Sequence, residues 1–314
     1  MLIAVDSTRR GPALGGCRWK TYPSLDAARA DVTALGKAMT LKAALARLAL
    51  GGGKAVVVGE PSSRTRDQLL ALGDFIEELD GAYITAADMG TGQEDMAVIS
   101  ERTRHVAGLP RRLGGCGDPG PFTAQGLLLA IEAALGHCDR PLRSARVAIQ
   151  GLGSVGGDLA KLLLERGAAV TGADPRLELR RTLPGEIHWV EPQAILTESC
   201  DVLSPCGPPF VIDRRTAEAL RCRIVCGGAN NPLADDTVAG ALAQRDILYV
   251  PDFLANAGGL IHLAVALEGG DDKASLRHLQ VIPENLAAVI TQAKSDHAHM
   301  AATARRIAEA LVEA

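Results

Sequence analysis

The apolar and polar positions of this chain follow one pattern up to about residue 110 and another after it. Residues 24–49, SLDAARADVTALGKAMTLKAALARLA, are rich in Ala and Leu with no internal proline and predict helix, in one or two segments, with Ser24 as the cap. KAVVVG (54–59) is a short apolar strand, 64–79 an amphipathic helix, AYITA (82–86) a second strand ending at Asp88, and GQEDMAVISERT (92–103) helix again. LPRRLGGCGDPGP (109–121) is a Gly/Pro-rich stretch and the best linker in the chain. Beyond it, FTAQGLLLAIEAALG (122–136) predicts helix. RVAIQGLGSVGGDLAKLLLERGAAVTGADP (146–175) then reads as strand, glycine turn, helix and strand. Strand-like runs recur at 200–205, 223–228 and 246–251 with helix-like runs between them, and the last forty residues are helical and polar-faced. Strands alternating with helices argue for a parallel sheet covered on both faces.

Composition narrows the reading. A chain of 314 residues is long enough for two domains. It is 47% hydrophobic but only 3% aromatic, so the core is built of Ala, Val, Leu and Ile. A net charge of −4 supplies no basic face for nucleic acid, and no apolar run reaches membrane-span length. The first residues, MLIAVDSTRRGP, lack the regions of a signal peptide. Seven cysteines, an odd count, fit reduced thiols in a cytoplasm. Cys222 and Cys226 are spaced C-x3-C with no second pair nearby, so no metal site is predicted.

Gly151-Leu-Gly153-Ser154-Val155-Gly156 follows the apolar strand VAIQ and opens a helix. In that context the first glycine permits a tight turn, the second admits a pyrophosphate to the backbone, and the third lets helix and strand pack closely. The helix N-terminus offers free N–H groups to phosphate. Asp174, eighteen residues after Gly156, ends the next strand. A carboxylate there meets ribose hydroxyls and repels a 2′-phosphate, so the cofactor expected is NAD rather than NADP, with Arg176 pulling slightly the other way.

LGGGKAVVVGEP (50–61) sets Lys54 directly after three glycines, and Lys42 lies twelve residues earlier on the helical stretch. A helix-to-strand reversal can bring both ammonium groups into one cleft, where each lowers the other's pKa and burial lowers it further. One lysine can then act as a base while the other holds a carboxylate. Asp88 in TAADMGTG can shuttle a proton or simply cap a turn. Gly15 and Gly16, like Gly258 and Gly259, allow close approach of backbone to a ligand.

In order along the chain, GPALGG, MTLK, LGGGK, DMGT, GDPGPFTAQG, GLGSVG, ANN (229–231) and PDFLANAGG together resemble the glutamate/leucine/phenylalanine/valine dehydrogenase family of NAD(P)-dependent amino acid dehydrogenases, nearest its leucine/valine/phenylalanine branch. The resemblance implies an α/β fold of two domains. An N-terminal substrate and oligomerisation domain spans about 1–121, a Rossmann NAD-binding domain about 122–290, and a C-terminal helix, about 291–314, returns to the first. The chemistry falls in the cleft between the domains. The resemblance also implies roles. Lys54 matches the catalytic lysine, Lys42 the lysine that binds the substrate α-carboxylate, and Asp88 the acidic partner in proton transfer. Gly15 and Gly16 lie against the substrate, Thr123 beside the nicotinamide, and Asn230 and Asn256 near the nicotinamide and the substrate amino group. The family reaction is reversible oxidative deamination of an amino acid to the 2-oxo acid and ammonia.

Glutamate-specific relatives carry a lysine and a serine where this chain has Leu14 and Leu263, and Leu260 lies one helical turn before Leu263. An apolar pocket does not repay the desolvation of a second carboxylate, so the substrate expected has an apolar side chain, and leucines in place of the relatives' valines point to one as small as valine. Relatives carry more chain ahead of GPALGG and an acidic pair where Val265 and Ala266 stand. A homo-oligomer is expected, at least a dimer. Two other readings stay open: a related oxidoreductase acting on a non-standard amino acid or imine, and a non-catalytic sensor of NAD and an amino acid.

Overall fold

The computed structural model describes residues 1–314. In the N-terminal part, β1 (Leu2–Ser7), β2 (Ala13–Lys20), β3 (Gly51–Val58) and β4 (Tyr83–Ala87) form one sheet in the order β1-β3-β2-β4. β2 runs parallel to both β3 and β4, while β1 pairs antiparallel to β3. Neither β1 nor β2 is legible in the pattern of the chain. β2 reads ALGGCRWK, with two glycines and two cations in eight residues, and it is held by pairing on both sides rather than by propensity. The long helix is a single segment, α1 (Leu25–Leu45), and Ser24 caps it by accepting the Ala27 N–H at 3.1 Å. α2 (Arg66–Glu77) begins with a capping box between Thr65 and Gln68, and α3 (Gln93–Ile99) follows β4.

The glycine triplet ahead of Lys54 has a cause in strand and helix packing. The strand starts at Gly51, not after the glycines. A side chain at Gly51 would begin 1.8 Å from the Ser7 carbonyl oxygen, and one at Gly52 would begin 2.0 Å from the Thr40 nitrogen on α1. The glycines therefore let β1 and α1 come down onto β3.

The second part is built on β5 (Arg146–Gln150), β6 (Ala169–Ala173), β7 (His188–Trp189), β8 (Val202–Pro205), β9 (Ile224–Val225) and β10 (Leu248–Tyr249). All pairs are parallel and the order is β10-β9-β8-β5-β6-β7. That is the doubly wound 3-2-1-4-5-6 arrangement, with its switch point between β5 and β8. α5 (Ser154–Glu165) packs on β5 and β6 and α7 (Asp236–Gln244) on β10, with α6 (Arg214–Ala219) against α7; α4 (Gly120–His137) packs on α5, and α8 (Asp252–Ala255) and α11 (Val281–Asp296) pack on α4. Ala148, Leu203, Val225, Leu242 and Tyr249 lie in its core.

The two compact units are residues 1–119 with 260–275 and 308–314, and residues 120–259 with 276–307. The division therefore differs from the one at 121 and 290. Most of α9 (Gly258–Leu267) and the start of α10 (Asp272–His278) belong with the first unit, as does only the end of α12 (Met300–Glu313). Polar contacts between distant parts of the chain account for this. The buried His262 ring sits 3.0 Å from the Ser275 hydroxyl and 3.3 Å from the Cys116 carbonyl, and the Arg10 guanidinium donates to the Leu311 carbonyl at 2.9 Å. No helix is long and apolar enough to cross a membrane.

Candidate active site

Lys54 lies on the central strand β3, and only 5% of its surface is exposed. A buried ammonium needs a partner. Its Nζ is 2.8 Å from Oδ2 of Asp88, the residue that follows β4. Arg18, on β2 between those strands, donates from Nε to the same oxygen at 3.1 Å. Its Nη1 donates to Asp31 at 3.2 Å, and the Tyr22 hydroxyl donates to Asp31 at 2.5 Å. One carboxylate is thus gripped by two cations, and the outer cation is itself anchored by a second carboxylate. Burial alone would raise the Asp88 carboxyl, but Lys54 and Arg18 outweigh it and hold it well below the usual carboxylate range. Cys17, next to Arg18 in β2, is a spectator, because burial pushes its thiol up to about 12.

The glycine pair before Arg18 makes room for this set. A side chain at Gly16 would begin 2.7 Å from the Asp88 Cβ, and one at Gly15 would begin 1.7 Å from the Gly53 oxygen. Neighbouring strands, rather than a ligand, fill the space first. Lys42, near the end of α1, is buried in the same unit, as are Leu14, Leu260 and Leu263. Leu263 Cδ2 is 3.2 Å from where a Gly108 side chain would begin.

Arg18 was not singled out in the sequence, where it reads as one surface cation beside Lys20. Only the register of β2 against β4, with Cys17 level with Ala87, shows that it stands next to Asp88. Arg18→Met removes one of two cations from Asp88. The expected result is turnover lower by about 10- to 100-fold, with the acid limb of its pH profile moved up as the carboxyl returns toward its ordinary value. A pH–rate profile checks this, with Arg18→Lys expected to recover part of the loss.

In the second unit the glycine turn has the geometry of a phosphate cradle. Gly151 has φ +87° and, with a side chain, would collide with Gly207; a side chain at Gly156 would begin 2.0 Å from the Gly151 oxygen. Gly153 caps α5 without a side-chain hydrogen bond, so the N–H groups at Ser154 and Val155 open the helix free of a capping side chain. Val155 packs toward Gly228. Asn256 donates to the Asn230 side chain at 2.9 Å and to the Gly228 carbonyl at 3.2 Å, and Thr123 Cα lies 3.1 Å from where a Gly258 side chain would begin. Three buried oxygens of this unit have no hydrogen-bond partner in the protein: Thr303 Oγ1 on α12, and Gln150 Oε1 and Asn256 Oδ1, at the end of β5 and after α8. Buried acceptors without donors call for a ligand that brings them. These residues fit a dinucleotide.

Asp174 departs from the expected geometry. Its carboxylate accepts the Leu152 N–H of the glycine turn at 2.9 Å and holds Arg176 through the backbone N–H, Nε and Nη2 at 3.0, 2.9 and 2.9 Å. The Arg176 hydrogen bonds hold its carboxyl down at about 2. A ribose must share or displace Arg176 to reach it. For Arg176→Ala the account expects NAD to bind about 2- to 10-fold tighter relative to NADP, because the carboxylate is uncovered and the one cation beside it is lost. Dissociation constants for the two dinucleotides, measured without substrate, check this.

A doubly wound parallel sheet with a glycine turn at its switch point in one unit, and a buried lysine–aspartate pair in the other, define a nucleotide-dependent enzyme of the dehydrogenase type. Residues 2–105 match the family model described as Glu/Leu/Phe/Val dehydrogenase, dimerisation domain, and residues 114–175 and 178–311 match Glutamate/Leucine/Phenylalanine/Valine dehydrogenase. The chain belongs to this family and is an NAD-dependent amino acid dehydrogenase. It is 38% identical to a leucine dehydrogenase of Thermoactinomyces intermedius, over 99% of this chain and 87% of that one. It is 39% identical to a valine dehydrogenase of Streptomyces virginiae, over 98% and 88%. Among solved structures, L-tryptophan dehydrogenase from Nostoc punctiforme superposes with a TM-score of 0.84 at 33% identity, covering 99% of this chain and 91% of that one.

Proposed function

We propose that the chain catalyses the reversible oxidative deamination of an apolar L-amino acid of branched-chain size. The amino acid, NAD+ and water yield the 2-oxo acid, ammonium, NADH and a proton. The observation that carries the proton chemistry is the 2.8 Å contact between buried Lys54 and Asp88. Bound NAD supplies the acceptor for the hydride from the substrate Cα. Lys54 first passes a proton to Asp88 across their 2.8 Å contact; the neutral amine then takes the proton of the water that attacks the imine carbon, and Asp88 gives its proton to the nitrogen that leaves. Arg18 favours the ionised form of Asp88 to which each turnover returns. Lys42 binds the α-carboxylate. The unpartnered Asn256 Oδ1 is an acceptor suited to an amino group.

Leu14, Leu260 and Leu263 are buried apolar side chains, and in this reading they wall the side-chain pocket, with no cation among them for a second carboxylate. An unpaired charge against such a wall is costly. Turnover with L-valine or L-leucine is expected to exceed that with L-glutamate by about 10³-fold or more in kcat/KM. NADH formation at 340 nm with valine, leucine, phenylalanine and glutamate tests this; equal rates with glutamate would overturn the apolar pocket. Self-association to at least a dimer fits the dimerisation description of the N-terminal family model. A reducing cytoplasm fits seven cysteines that are all free thiols.

A further inference from the structure

The loop after β8 reads CGPPFV, residues 206–211. Its start is tied to the dinucleotide cradle. The Cys206 N–H donates to the Gln150 carbonyl at 2.7 Å, and Gly207 Cα lies 2.7 Å from where a Gly151 side chain would begin. Its far end is tied to the asparagine turn, where the Phe210 N–H donates to the Asn231 carbonyl at 2.8 Å. The loop that carries Phe210 thus runs from the glycine turn to Asn231, starting at the C-terminal end of β8 beside that of β5. In doubly wound sheets ligands bind in that place.

Two properties of Phe210 work against the stability of the free chain. Its φ is +58°, in the left-handed region that bulky residues avoid. The other non-glycine residues with positive φ are Asp80, Asp139, Asn231, Asp246, His297 and Arg47. The first five are of the types enriched in that region, and Arg47 follows the end of α1. The Phe210 residue is also 59% exposed, so burial of its ring does not offset the strain. Strained residues persist where function requires them.

We propose that Phe210 is a clamp on the dinucleotide, its ring packing against bound NAD and gaining there the burial it lacks in the free chain. An aromatic face suits the planar rings and apolar ribose edges of a dinucleotide. The clamp rests on the reading of Gly151–Gly156 as the dinucleotide site, and it adds a residue outside that fingerprint.

The test compares Phe210→Gly and Phe210→Leu with the native chain. It combines titration with NAD in the absence of amino acid and thermal unfolding with and without NAD. Glycine accepts positive φ without strain. Phe210→Gly is therefore expected to raise the Tm of the free protein by a few degrees while weakening NAD binding about tenfold. Phe210→Leu keeps the strain and loses the ring, so its free Tm stays near native while its NAD Kd still rises. A native chain that binds NAD, with Phe210→Gly binding equally well, would overturn the clamp alone. A change of oligomeric state in Phe210→Gly at unchanged NAD affinity would also overturn it, by assigning the ring to a contact between copies. A native chain that binds no NAD would overturn the cradle reading and the clamp with it.

Discussion

Lys54→Ala is expected to lower turnover by about 10²- to 10⁴-fold while leaving NAD affinity within about twofold of native. The ammonium of a lysine side chain that is 6% exposed is stable in β3 because Asp88 lies 2.8 Å away. That arrangement is also what proton transfer requires, a donor and an acceptor within hydrogen-bond reach. Truncation removes the group proposed to handle the water proton. It leaves Asp88 with Arg18 at 3.1 Å, so the carboxylate is not orphaned and the fold persists. The glycine turn, Gln150 and Asn256 lie in the other compact unit, which is why cofactor affinity serves as the internal control. Steady-state rates paired with an NAD titration check the prediction. A variant that loses both would point to misfolding instead.

Asp88→Asn is the second large effect, and it differs in kind. Lys54 and Arg18 both reach the same carboxylate oxygen, so the amide leaves two cations sharing a site without their counter-ion. Removing one partner of a fully buried pair typically costs 3–5 kcal/mol; Asp88 is a fifth exposed, so a loss of about 1–3 kcal/mol is expected here. Turnover falls by about 10²- to 10⁴-fold, since an amide cannot carry the proton. The pH dependence of stability supplies a further signature. The native Asp88 carboxyl is held below its unfolded value. Its contribution is therefore full above the ordinary carboxylate pKa and lost as pH falls through the folded value. The gap in unfolding free energy between native and Asp88→Asn should be widest at neutral pH and shrink on acidification. Denaturant unfolding at several pH values measures that gap.

The same residues show which parts of the molecule can be read from sequence. The βαβ stretch with Gly151, Gly153 and Gly156 is legible because local pattern and local structure coincide there: an apolar strand, a glycine turn and a helix, all within thirty residues. Ser24 as a cap is legible for the same reason. β2 is not, because ALGGCRWK becomes a strand only through partners on both sides. Arg18 is hidden with it, since its distance from Asp88 is seventy residues in sequence and 3.1 Å in space. The glycines of LGGGK carry no local sign of what they face, and Ser7 and Thr40 are what crowd Gly51 and Gly52. Asp174 sits where a ribose-binding carboxylate belongs, but the arginine two residues on covers it. Residues 260–275 and 308–314 join the first unit through contacts such as His262 with Cys116 and Arg10 with Leu311, which no local pattern announces.

The central claim is that Lys54 and Asp88 drive amino acid deamination, and the most direct measurement follows NADH and ammonia together from L-valine and L-leucine, in the native chain and in Lys54→Ala. The account predicts equimolar NADH and ammonia from the native chain, and neither at comparable rate from a variant that still binds NAD. Native protein that binds NAD and amino acid yet releases no ammonia, or a Lys54→Ala variant that turns over at the native rate, would contradict it.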